Sequence, residues 1–162
     1  MGRTVAEYKK PVKRAEAENL MPLVLPMIES GKSVKLTVTG YSMYPLVSSR
    51  RDQVLLAKAE TLKVGDVPLF RRHDGSYILH RIIKEKNGVF ATMGDYENKE
   101  EYPVTKEQIV AKAIGFYRKG RFMDCNSFGY KAYSFLWRKT AKIRPFMLHF
   151  MAKAARVKGK SR

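Results

Sequence analysis

The chain is short of cysteine, of acid and of long apolar runs, and each shortage closes off a class of protein. Its single cysteine, Cys125, excludes an intrachain disulfide and any Cys/His zinc cluster. The three histidines, His73, His80 and His149, stand far apart, so neither a metal nor another cofactor is expected. The longest apolar run, LMPLVLPMI at 20–28, is under half of the roughly 20 residues that a membrane-spanning helix needs, and it carries two prolines. No apolar stretch follows the first basic residues in the manner of a signal peptide. The expected compartment is the cytoplasm. Acids number 15 against 32 Lys and Arg, for a net charge of +17. The imbalance is concentrated at the ends: nine basic residues and no acid from Arg138 to Arg162, and five against Glu7 alone from Arg3 to Arg14. Such ends suit nucleic acid, anionic lipid headgroups, or plain solvation.

What is present is a chain of 162 residues with 44% apolar content, enough for one domain with one core. Residues 12–30 read as a helix whose second half is kinked or broken by Pro22 and Pro26, with Gly31 as its stop. SVKLTVT (33–39) alternates apolar and polar like a half-buried strand. Further strands are expected at 53–59, 67–72, 77–86 and 89–93, joined by the Asp-Gly turn at 74–75 and the Asn-Gly turn at 87–88. A helical turn and then a strand, Ile109 to Tyr117, follow. From Tyr130 the spacing becomes helical, and Pro145 divides that stretch into two helices. The expected organisation is an N-terminal helical segment (1–31), a β core (32–121) and a basic C-terminal helical extension (122–162).

Within the core one serine stands out. Ser42 lies in a turn punctuated by Gly40 and Pro45. Its bland reading is a turn-former, because a serine hydroxyl needs a neighbouring base to become a nucleophile. His80, in the apolar strand YILHRII, could be that base; otherwise it is a half-exposed strand histidine. Asp95, at a strand end after Gly94, could orient the imidazole or simply serve its turn.

The order GYSMYPL, LKVGDVPLF, YILHRII, FATMGDYENKEE is more specific than its parts. Across residues 33–118 it resembles the LexA/signal-peptidase clan of serine peptidases. With His80 where many members carry lysine, it is most similar to the Ser-His-Asp signal peptidases of the endoplasmic-reticulum and archaeal type. The resemblance implies a mostly antiparallel β-fold, with an N-terminal helix and a C-terminal helical pair added here. It implies Ser42 as nucleophile, His80 as general base and Asp95 as acid, with a second acid position at Glu100 or Glu101. The backbone N–H of Ser42 would help bind the oxyanion. Gly40 stands where bacterial relatives place a serine donor. Gly40, Tyr41, Met43, Tyr44 and Pro45 would shape the substrate site, and Asp66 would hold a turn. The substrate would be an extended peptide with small residues before the cut.

The chain departs from that family in having no membrane-spanning anchor, which points away from secretory cleavage. It also has no Ala-Gly or Cys-Gly bond of the kind that self-cleaving repressors use. The reading is a serine endopeptidase acting in trans. The alternatives are a non-catalytic peptide-binding module of the same fold, or a basic nucleic-acid- or membrane-binding protein. Nucleic-acid contact is the less favoured partner, because no recognition motif accompanies the cations. Docking of Trp137, Phe146 and Phe150 at an anionic membrane surface is weighed against simple packing of the C-terminal helices on the core.

Overall fold

The computed structural model describes residues 14–140, with side chains described from residue 19 onward. The fold is mainly antiparallel β, framed by an N-terminal helix and a C-terminal helix. Helix α1 runs Arg14–Glu29 without a break. Of the expected kink or break at Pro22 and Pro26, the break is corrected: both prolines lie on the solvent face, where carbonyls left without a donor can be hydrated. Met21, Val24 and Ile28, spaced by three and four residues, face the core. The helix ends as expected at Gly31, with φ +86°. The N–H of Gly31 donates to Ile28 and that of Lys32 to Met27, each at 3.0 Å.

A curled six-stranded sheet has the order β1-β2-β8-β3-β4. Its strands are β1 (Val34–Thr37), β2 (Gln53–Ala57), β3 (Pro68–Arg71), β4 (Tyr77–Leu79) and β8 (Ile109–Arg118). The sixth strand, β9 (Arg121–Asp124), pairs with β8 beyond the point where β3 leaves it. A second sheet holds β5 (Arg81–Lys86), β6 (Val89–Met93) and β7 (Glu101–Thr105) in that order. Helix α2 covers Phe128–Lys139 and is capped by Ser127, whose hydroxyl accepts from the N–H of Tyr130. The second of the expected C-terminal helices, with Phe146 and Phe150, lies outside the described residues.

The strand expected over 77–86 is in fact two. Leu79 pairs with Leu69 in the large sheet, and Arg81 pairs with Met93 in the small one. The chain changes sheets at His80. Both of its faces are covered there, so His80, Arg81 and Ile82 are buried in succession where a half-buried strand would alternate. Two apolar clusters result. One joins α1 to the large sheet through Val24, Ile28, Leu56, Val67 and Phe116. The other packs Phe70, Ile82, Phe90 and Val104 beneath the small sheet. Each fully buried side chain of this size contributes about 1.5–3 kcal/mol.

Candidate active site

The turn that carries Ser42 is held from both ends. Gly40 enters it at φ +87°, open to glycine without strain, and its N–H donates to Ser49 Oγ at 3.2 Å. Asp52 closes the far end. Its buried carboxylate accepts from the N–H of Ser48 (2.8 Å), the N–H of Lys119 (3.1 Å) and the Arg51 guanidinium (2.8 Å). Burial pushes this carboxyl up, but the hydrogen bonds outweigh it and hold the pKa at about 2.

Ser42 itself is half-buried. Its carbonyl accepts from the N–H of Tyr96 at 2.7 Å, which seats the Ser42 turn on the Gly94–Tyr96 turn. A Cβ on Gly94 would stand 2.6 Å from the Ser42 carbonyl oxygen and 3.0 Å from its Cβ. Only glycine allows that approach. The carboxyl carbon of Glu97 lies 3.1 Å from the same point, and its Oε2 is 3.4 Å from His80 Nε2. Glu97 thus lies beside His80 and near the Gly94 turn on which Ser42 rests, and no hydrogen bond joins Ser42 to His80 among the described residues. The backbone N–H of Ser42 has no partner among the described residues and is available to a substrate oxygen.

His80 is 2% exposed, and its ring meets Phe70 edge-on, with centroids 6.2 Å apart. Its Nδ1 is buried without a hydrogen-bond partner among the described residues, and Glu101 Oε2 is 3.7 Å from it. Glu101 is gripped by both Arg72 Nε (2.5 Å) and Arg72 Nη2 (2.6 Å). Burial lowers the His80 pKa, and the carboxylates of Glu97 and Glu101 offset part of that effect. A buried imidazole kept neutral can accept a proton at neutral pH.

Asp95 sits elsewhere in this network. Its two oxygens accept from Arg81 Nε (2.8 Å) and Nη2 (2.7 Å), and Tyr133 Oη donates to it at 3.2 Å. Arg81 Nη1 also donates to Gly65 O (3.0 Å), Ser134 Oγ (2.8 Å) and Tyr130 Oη (3.1 Å). The carboxylates within 4 Å of the His80 ring are Glu97 and Glu101, while Glu100 pairs with Lys84 on the surface at 2.9 Å. Asp66 holds its turn, accepting from the N–H of Lys63 at 3.1 Å.

A cavity of about 140 Å³ opens beside Ser42. Residues of β1 (Leu36, Thr37) and β4 (Tyr77, Ile78, Leu79) both line it, together with Met21 and Leu56. Strands β1 and β4 are the two ends of the large sheet, so the curl brings both of its edges to Ser42. Of the expected substrate-site residues, Met43 lines this cavity. Gly40, Tyr41, Tyr44 and Pro45 lie outside its lining; the Tyr44 ring stacks edge-on against Tyr96 at 5.7 Å, and Pro45 follows a cis peptide bond. Sequence reasoning missed Glu97 and Arg72 and, though it expected strands at 33–39 and 77–86, it missed that the edges they form both reach Ser42. An arginine beside His80 in an otherwise apolar strand was the available sign of a buried ion pair. No protein-family model matches this chain, and neither does any curated protein.

Proposed function

We propose that the protein is a signal-peptidase-like serine endopeptidase that cuts an extended peptide in trans. The observation that carries this reading is the cavity at Ser42, flanked by the two free edges of one sheet, with His80 following directly on the second edge. Edge strands offer unpaired N–H and C=O groups to an extended chain, and the small apolar hollow favours a small side chain before the scissile bond. Ser42 Oγ attacks the peptide carbonyl, and its proton passes to His80 Nε2. The developing oxyanion takes the Ser42 N–H. His80 then returns the proton to the leaving amine, and water releases the acyl group by the same route. Glu101, facing Nδ1 and fixed by Arg72, takes the orienting role in place of Asp95. No helix among the described residues is long and apolar enough to cross a membrane, which is compatible with work in the cytoplasm or at a membrane surface.

A library of unstructured peptides, incubated with the full chain and read by mass spectrometry, tests this. Cuts after small residues should appear and should fall by about 10⁴-fold or more in Ser42→Ala at unchanged melting temperature. Cutting no faster than the variant background would reject the peptidase and leave the peptide-binding module as the better account.

A further inference from the structure

A second cavity, of about 310 Å³, opens between α2, the turn at 61–66 and β8, and shares no lining residue with the one at Ser42. Its size matches the lower end of small-molecule sites. Lys63, Lys112, Lys131 and Arg138 line it against a single acid, Asp66. Asp66 is already engaged by the N–H of Lys63 and lies 3.6 Å from Lys112 Nζ. No carboxylate among the described residues pairs with Lys63, Lys131 or Arg138.

Arg138 carries the argument furthest. Its Nε is buried and makes no hydrogen bond among the described residues. Gly65 lies beside it, with a Cβ there at ordinary contact distance, 3.7 Å, from that nitrogen. Burial, and then the Arg81 guanidinium, lower its pKa, and an anion in the cavity would act in the opposite direction. The side chain as a whole is half-buried, so the rest of the guanidinium can reach an anion that enters the cavity. The wall supplies no hidden anion either: burial pushes the Cys125 thiol up to about 12, which keeps it neutral.

We propose that this cavity binds a phosphate group, with Arg138 as the fork and Lys63, Lys112 and Lys131 around it. Three unmatched cations suit a doubly charged anion, and a guanidinium with lysines suits tetrahedral oxygens better than a lone carboxylate. The phosphate comes either from a small soluble ester or from a lipid headgroup. Binding needs nothing of Ser42 or His80, so it stands apart from the peptidase reading.

Titration calorimetry of the full chain with inorganic phosphate, at ionic strength held constant with chloride, tests the site. One saturable event is expected. Arg138→Gln and Lys63→Gln should each weaken it by about tenfold or more, while Lys99→Gln and Ser42→Ala leave it unchanged. Lys63 is exposed, so its variant folds even if the Arg138 variant does not, and thermal melts report folding of both. Absence of saturable binding, or equal affinity in both cavity variants, overturns the proposal. Vesicles rich in phosphatidic acid, compared with phosphatidylserine vesicles, identify the source. Competition by phosphatidic acid alone supports the site with a headgroup as ligand; competition by neither supports it with a soluble ester.

Discussion

His80 and Arg81 are neighbours in sequence, both are buried, and they live in opposite polar surroundings. Every nitrogen of Arg81 is bonded: two to Asp95, and the third to Gly65 O, Tyr130 Oη and Ser134 Oγ. Burial alone would lower its pKa, but Asp95 outweighs burial and raises it. His80 has carboxylates at 3.4 and 3.7 Å and an Nδ1 with no hydrogen bond among the described residues. A saturated buried cation fastens pieces of the fold together, here β5, the Gly94–Asp95 turn, the 61–66 turn and α2. An unsaturated buried imidazole gains little by being there for stability and keeps its capacity for a partner that arrives.

The comparison breaks most sharply on stability. Arg81→Met should destabilise the protein by about 3–5 kcal/mol, because it leaves the Asp95 carboxylate buried without its counter-charge. His80→Gln should cost about 1 kcal/mol or less while removing turnover. Urea unfolding of both variants measures the difference. Similar losses in the two would mean that the histidine is as structural as the arginine.

The strands were legible where local chemistry decides them. SVKLTVT alternates as β1 does in its burial, and Asp-Gly and Asn-Gly mark the turns before β4 and β6. Strand β7 was not legible, because Pro103 and the preceding acids argue against a strand; its place at a sheet edge removes the objection. Strand β9 has only four residues after a Lys119-Gly120 turn. The split at His80 depends on partners far away in sequence, Leu69 on one side and Met93 on the other, so YILHRIIKEK reads locally as one strand. The same limit governs the acid. The resemblance implies Asp95, but Arg81 needs a full counter-ion once it is buried, and Asp95 answers that need. Between the two adjacent glutamates, the start of β7 turns Glu101 toward Arg72 and His80 and leaves Glu100 outside.

A smaller effect separates the acids. Glu101→Gln keeps the shape of the side chain and an oxygen for Arg72 but removes the charge facing His80 Nδ1. It should lower kcat on a confirmed peptide by about 10–100-fold with only a modest change in melting temperature. Asp95→Asn should show the reverse pattern, a large loss of stability with kcat per folded molecule nearly kept. A kcat that survives in Glu101→Gln and collapses in folded Asp95→Asn would return the orienting role to Asp95.

The subtlest contrast is in pH. Burial sets the His80 pKa below the ordinary 6.5, and Glu97 and Glu101 pull it partly back. Between that lowered value and 6.5 the unfolded chain holds more protons than the folded one, so stability falls as pH drops below about 6.5. On the proposed mechanism activity would fall with acid in the same sense as for a solvated histidine base, but at lower pH. The base stays unprotonated to lower pH, so the acid limb of kcat/KM lies below 6.5. Glu97→Gln removes a charge that favours the imidazolium, and the limb should move further down. Arg81 keeps its proton throughout this range, so Arg81→Lys, where it folds, should leave the limb's slope unchanged. An acid limb at or above 6.5, or an upward shift in Glu97→Gln, would show that the proton titrating in catalysis does not belong to His80.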